Sequence, residues 1–247
     1  MATDKGSGDI KITVVYDNNP YRSGLKTDWG FGCVITGLEK TILFDTGGNG
    51  EVLLFNMRAL NIDPKSIDIV VLSHIHEDHT NGLWAFLGKN PNVSVYLPAS
   101  FPSRFKKRVS SLGADIVEVD GAKELFDGVF TTGQLGSSIL EQSIVIRTLN
   151  LTAVIAGCAH PGIENMVSVA RKTTKAKRFF VTGGFHLGGT SKKTIQRLTA
   201  RLKKLGVQWA GPCHCSGDLA RSLFKEAFGD RYVDVGVGKT IELSALK

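Results

Sequence analysis

All six histidines of this chain stand at or just past the end of a short apolar run. Three fall in "HIHEDH" (74–79), directly after "IDIVVLS" (67–73). The others follow "LTAVIAG" (His160), "RFFVTGG" (His186) and "VQWA" (His214). Runs rich in Val, Ile and Phe and bounded by Gly, Asn, Pro or Asp read as strands. The imidazoles therefore sit on loops at strand ends, and they form one site only if distant strand ends come together.

Further strands are expected at 10–17, 31–36, 40–45, 93–98, 114–119 and 142–149. Helices are expected at 51–60, about 81–87, about 102–112, 164–174, 191–205 and 217–228. In the fifth helix, Ile195, Leu198, Leu202 and Leu205 recur at three- and four-residue spacing, the mark of one buried face. Strands followed by helices in the early part are echoed by a similar run later, with no proline-rich linker between. This predicts an α/β fold with a flexible leader over 1–9 and a single domain of two related halves over 10–247.

With 42% of 247 residues hydrophobic and 21% charged, the composition excludes disorder and fibrous architectures. No stretch approaches the ~20 apolar residues of a membrane span, and no secretory pattern opens the chain. Four unevenly spaced cysteines do not make a disulfide framework, so a reducing, cytoplasmic setting is expected. The net charge of +7 comes from dispersed clusters such as "RFKKR" (104–108), which read as solvated helix faces. No basic stripe interleaved with aromatics supports nucleic-acid binding. A positive field would help collect a small anionic substrate. The oligomeric state is left open, a homo-oligomer included.

His74 and His76 are two apart where a strand runs out, so both rings can reach one ion. Asp78 and His79 follow across a turn, at the start of the next helix, and face the same space from another direction. Imidazole and carboxylate together suit zinc first, with manganese or iron as alternatives. Two groups of ligands imply two divalent metal ions.

"HIHEDH" fits the His-x-His-x-Asp-His signature of the metallo-β-lactamase fold superfamily, and "TILFDTG" (41–47) resembles its first motif. His160 and His214 fall in the order of its later motifs. The resemblance implies a four-layer αβ/βα sandwich, two mixed sheets packed together with helices outside. More narrowly, "GCAHPGIEN", "TGGFHL" and "GPCHCSG" are similar to the subgroup related to dihydropterin ribofuranosylaminobenzene phosphate synthase. By position, His74, His76 and His160 would bind the first metal, and Asp78, His79 and His214 the second. Asp45 would stand behind them, accepting a ligand's other ring proton. The family's bridging aspartate should fall near "VTGGFHL", where this chain has Gly183, Gly184 and His186 instead. His186 is expected to ligate in its place or to act beside the site as an acid/base.

The implied reaction is hydrolysis by metal-bound hydroxide of a small anionic, phosphate-bearing ester, with Asp78 orienting the nucleophile and His186 donating a proton. Two other readings compete: a pterin-related condensing synthase of the same fold, and a metal-binding sensor without catalysis. "GGFHLGGTSKKTIQ" is a glycine-rich loop opening a helix, where Thr190 or Ser191 would cap and Lys192 would stand close to a bound anion. The long segment 17–32 holds Arg22 and Trp29 and would overhang the metals. A Cys/His structural zinc site fits poorly, because "CHC" is not the usual Cys-x2-Cys knuckle. Cys158, Cys213 and Cys215 are instead expected to pack around the site as small thiols, with Cys33 in the core.

Overall fold

The structure, a computed structural model, describes residues 10–247, and the leader expected over 1–9 lies outside the described residues. In chain order the strands are β1 (Lys11–Asp17), β2 (Phe31–Thr36), β3 (Ile42–Phe44), β4 (Ile69–Val71), β5 (Ser94–Pro98), β6 (Asp115–Val119), β7 (Gly121–Phe126), β8 (Val129–Gly133), β9 (Ile144–Arg147), β10 (Thr152–Ala156), β11 (Phe179–Gly184), β12 (Val207–Cys213) and β13 (Thr240–Glu242). The helices are α1 (Gly50–Ala59), α2 (Glu77–Thr80), α3 (Leu83–Leu87), α4 (Ser103–Ser111), α5 (Ile163–Thr174), α6 (Lys192–Lys204) and α7 (Asp218–Phe228). One sheet runs β13-β1-β2-β3-β4-β5-β6 and the other β12-β11-β10-β9-β8-β7.

Side-chain alternation explains the layers. In β10, Ala153 and Ile155 face a core between the sheets, shared with Phe31, Phe44, Ile144 and Phe180, whereas Val154 and Ala156 face α5, α6 and α7. Both faces are buried, so the strand is apolar throughout and shows no polar alternation. On the outside of the first sheet, Leu53, Met57, Phe86 and Val109 from α1, α3 and α4 cover Val34, Leu43 and Val70. Two sheets with helices outside each make the four layers that the family resemblance implies.

On α6, Ile195, Leu198 and Leu202 are buried and Leu205 packs beside them, as the spacing predicts. Each such buried side chain is worth roughly 1.5–3 kcal/mol against exposure. Ser191 is the cap, its side chain accepting from the Thr194 N–H.

Two features depart from the sequence reading. The β7–β8 hairpin is absent from it, although Asp127-Gly128 marks a turn. Strand β7 is exposed over most of its length and so lacks the apolar alternation that would reveal it. The last strand, β13, pairs with β1 over only three residues. The C-terminal segment thus closes the first sheet, and the two halves are not contiguous in sequence.

The fold positions the site through its parallel strands. β3, β4, β5 and β6 are parallel neighbours, as are β10, β11 and β12. Parallel pairing puts all carboxyl ends of a group at one edge, where open α/β sheets bind ligands. Asp45 leaves β3, His74 follows β4, and His160, His186 and His214 leave β10, β11 and β12 in turn.

Candidate metal centre

At that edge all six histidines form one connected cluster. Ring centroids of His74 lie 4.7 Å from His76, 4.3 Å from His79 and 4.8 Å from His160. His214 lies 5.1 Å from His79, and His186 lies 4.4 Å from His160. His74 Nε2 and His76 Nδ1 converge to 3.0 Å. Asp78 Oδ2 stands 3.3 Å from His214 Nε2 and 3.6 Å from His79 Nε2. His74, His79 and His214 are buried. Such crowding of imidazoles is unfavourable unless something between them takes their lone pairs.

The groups behind the rings decide where those lone pairs point. Asp45, wholly buried, accepts from His79 Nδ1 at 2.7 Å, from the Ser73 hydroxyl at 2.7 Å and from the Ser73 N–H at 2.7 Å. With the Ser73 hydroxyl committed to Asp45, its oxygen accepts from His74 Nδ1 at 2.9 Å. Asn18 accepts from His214 Nδ1 at 2.8 Å. In all three histidines Nδ1 is thereby engaged as the donor, and Nε2 faces inward with a free lone pair. His160 Nε2 and His214 Nε2 are buried without a hydrogen-bond partner. Buried polar atoms left in this state fit a site for a cation.

The electrostatics of four rings agree, and His79 differs. Burial, followed by neighbouring imidazoles, holds His74 well below the ordinary histidine range and brings His160 down to about 4. Burial likewise lowers His76 and His214. Burial also pulls on His79, but the Asp45 carboxylate outweighs it and lifts that ring to about 9. Burial pushes the Asp78 carboxyl up, but the imidazoles of His214 and His79 beside it outweigh that and hold it low.

Backbone geometry is strained here. Among the described residues, six non-glycine residues have positive φ, and four of them, Asp45, Ala159, His186 and His214, belong to the site or adjoin it. Such conformations persist where surrounding structure over-determines them. For Ala159 the determinant is Glu141, a buried carboxylate invisible to the sequence reading. Its Oε1 accepts from the N–H groups of Gly157, Cys158 and Ala159 at 3.1, 2.9 and 2.9 Å, and its Oε2 from that of His160 at 2.8 Å. Burial pushes Glu141 up, against the opposing pull of those N–H groups.

Cys158 lies inside the cluster and not merely around it. Its Sγ is 3.2 Å from His79 Nε2 and 3.3 Å from Cys215 Sγ. Three groups of donor atoms lie within 4.8 Å of one another: Asp78, His79, Cys158 and His214; His74, Cys158 and His160; and Cys158, His186 and Cys215. Cys213 and Cys33 are buried away from these groups. The signal for Cys158 was its place two residues before His160, the same spacing as His74 and His76. Nothing local marks Ser73, Asn18 or Glu141.

The substrate residues divide. Trp29, 57% exposed, stands over the site with its ring 4.9 Å from that of His214. The loop carrying it is pinned by buried Asn56 of α1, whose side chain bonds both the Lys26 N–H and the Lys26 carbonyl. Arg22 is exposed and packs beside Gly238, its N–H bonded to the Val237 carbonyl, and it is not brought to the histidines. Thr190, Ser191 and Lys192 lie beyond His186 on the loop that opens α6, where the Gly188 N–H donates to the Cys215 carbonyl.

The model of the metallo-β-lactamase superfamily matches residues 33–205. The 7,8-dihydropterin-6-methyl-4-(β-D-ribofuranosyl)-aminobenzene-5'-phosphate synthase of Methanocaldococcus jannaschii is 30% identical, over 95% of this chain and 97% of that protein. A solved metal-dependent hydrolase of the β-lactamase superfamily superposes with a TM-score of 0.81 at 27% identity, over 95% of this chain and 99% of its own. A metallo-β-lactamase fold protein from Bacillus subtilis shares the fold with a TM-score of 0.70 at 15% identity, over 94% and 99%. Sequence, layers and histidine cluster converge on one conclusion: the chain belongs to the metallo-β-lactamase superfamily.

Proposed function

We propose that this protein is a divalent-metal-dependent enzyme that hydrolyses a small, phosphate-bearing substrate. The observation that carries the reading is the convergence of inward-facing Nε2 atoms, two of them buried without a partner. His74, His76 and His160 would hold one cation and Asp78, His79 and His214 a second, with zinc the best match to the donor set and manganese or iron as alternatives. When bound, such cations polarise the oxygen under attack and acidify water near neutral pH.

The chain's own residues do the rest. Asp78, part-buried between His79 and His214, orients the attacking water by accepting a hydrogen bond from it. His186 is exposed with its ring beside His160, so it can take a proton from solvent and pass it to the departing group. General acids of this kind contribute roughly 10²–10⁴-fold. Trp29 offers an aromatic face for the organic part of the substrate. Ser191, Thr190 and Lys192 at the start of α6 are placed for its anionic part.

A second reading, a pterin-linked condensation, is favoured by similarity to the synthase over 95% of the chain. One pair of assays separates the two. Metal-reconstituted and chelator-stripped protein are given a chromogenic phosphodiester, and separately ribofuranosylaminobenzene phosphate with a dihydropterin that carries a leaving group on its 6-methylene carbon, released as the conjugate forms. Chelator-sensitive release of chromophore supports hydrolysis. Conjugate formation without phosphodiester turnover supports the synthase reading, and silence in both assays with metal bound sinks both.

A further inference from the structure

The segment after β11 lacks the carboxylate that the family places between its two cation positions, and the packing shows why neither Gly183 nor Gly184 can carry one. A Cβ on Gly184 would collide with the Gly157 carbonyl oxygen and come within 2.7 Å of Cys215 Sγ. A Cβ on Gly183 would collide with the Ala156 carbonyl oxygen, and that residue holds φ +108. Cys215 Sγ stands against Gly184, and Cys158 Sγ lies 3.3 Å from that sulfur.

Cys158 Sγ is the atom common to all three donor groups, including the two built on Asp78, His79 and His214 and on His74 and His160. Tetrahedral coordination at bond lengths of roughly 2.0–2.3 Å holds neighbouring ligand atoms roughly 3.3–3.8 Å apart. Cys158 Sγ to His79 Nε2 is 3.2 Å, His214 Nε2 to Asp78 Oδ2 is 3.3 Å, and His79 Nε2 to Asp78 Oδ2 is 3.6 Å. The thiol is not there by slack packing. Glu141 clamps the Cys158 N–H at 2.9 Å together with the N–H groups on either side, fixing where the β10 exit delivers its side chain.

We infer that Cys158 is a metal ligand whose thiolate is shared between the two cation positions, in place of the missing carboxylate. The inference rests on the metal-site reading above. It supplies the negative charge that Gly183 and Gly184 cannot, and it makes the centre softer than an all-nitrogen-and-oxygen one. A thiolate donor favours zinc or ferrous iron over manganese.

The test uses the full chain loaded with zinc, then with cobalt(II). X-ray absorption at the zinc edge of the unaltered protein is expected to show a sulfur scatterer at about 2.3 Å. The cobalt(II) protein is expected to show a near-ultraviolet thiolate charge-transfer band that Cys158→Ser abolishes and Cys215→Ser retains. Cys158→Ser is further expected to bind zinc at least tenfold more weakly, with a smaller loss for manganese. Metal bound in a shell of nitrogen and oxygen alone overturns the thiolate and leaves the metal site standing. A band lost in Cys215→Ser and kept in Cys158→Ser assigns the wrong thiol and overturns it too. Failure of the unaltered protein to bind zinc or cobalt removes the metal-site reading itself, and the thiolate with it. Should Cys158→Ser not fold, the zinc-edge spectrum of Cys215→Ser decides: a retained sulfur scatterer supports Cys158, and a lost one overturns it.

Discussion

Two wholly buried carboxylates, Asp45 and Glu141, serve the two sides of the site differently. On the first sheet, Asp45 works through side chains: it holds His79 directly and His74 through Ser73. On the second, Glu141 works through the backbone, gathering four consecutive N–H groups from Gly157 to His160. The first side is a contiguous motif whose rings need only orientation. The second is a set of separate loops, and there the chain path itself has to be held. Orientation of a ring and placement of a loop are different tasks, and each buried charge has a partner set suited to one of them.

Replacing each carboxylate breaks the comparison most directly. Asp45→Asn leaves His79 and Ser73 facing an amide, and loss of one partner of a buried ionic contact typically costs about 3–5 kcal/mol. Both ligand sets are expected to weaken, because Asp45 reaches His79 and His74. Metal stoichiometry and urea denaturation would show it, and unchanged affinity at both sites would refute the assignment. Glu141→Gln turns one acceptor oxygen into a donor against backbone N–H groups, an expected loss of about 2–3 kcal/mol. Its effect on metal should be largest at the set containing His160, reaching the Asp78, His79 and His214 set only through the shared Cys158. Equal weakening of the Asp78, His79 and His214 set would show that the division of labour is wrong.

Asn18→Ala sharpens the contrast at one residue, since it removes the acceptor for His214 Nδ1 and the amide donor to the His214 carbonyl. Loss of such a partner lowers metal affinity roughly 10–100-fold. A chelator-competition titration should find this at one of two sites. The smallest effect is in pH. His160 has its folded pKa at about 4 against an ordinary value of 6.5, and His74, His76 and His214 are shifted the same way. Below 6.5 the unfolded chain binds more protons than the metal-free folded one, so these rings lower stability as pH falls from 6.5 toward 4. His79, shifted up to about 9, contributes stability that is fully present below 6.5 and is lost as pH rises through about 9. After allowing for the solvent exposure of His160, its share is about 1 kcal/mol. Melting temperatures of chelator-stripped protein across this range check it, and a flat acid limb in wild type would contradict it.

What could be read from the chain was local. The i, i+2 relation of His74 and His76 and the turn to Asp78 and His79 are set within six residues, so the motif is legible without a fold. Helix faces such as Ile195, Leu198 and Leu202 are legible for the same reason. The β7–β8 hairpin was missed because its exposed strand carries no apolar alternation, and β13 because three residues give no period. Asn18 escaped notice since it meets His214 across 196 positions. Glu141 looks like any acid ahead of a strand, and only burial against four N–H groups gives it a task.

By itself the sequence determined the candidate histidine and carboxylate donors, their placement at strand ends, and the absence of a carboxylate after β11. Tertiary structure alone decided which strand ends meet and what stands between them. Parallel pairing brings the carboxyl ends of β10, β11 and β12 to one edge, and face-to-face packing of the two sheets sets that edge against His74–His79. The same packing leaves no volume for a side chain at Gly183 or Gly184 and sets the Cys158 thiol beside His79. Steric exclusion between distant segments has no signature in local sequence.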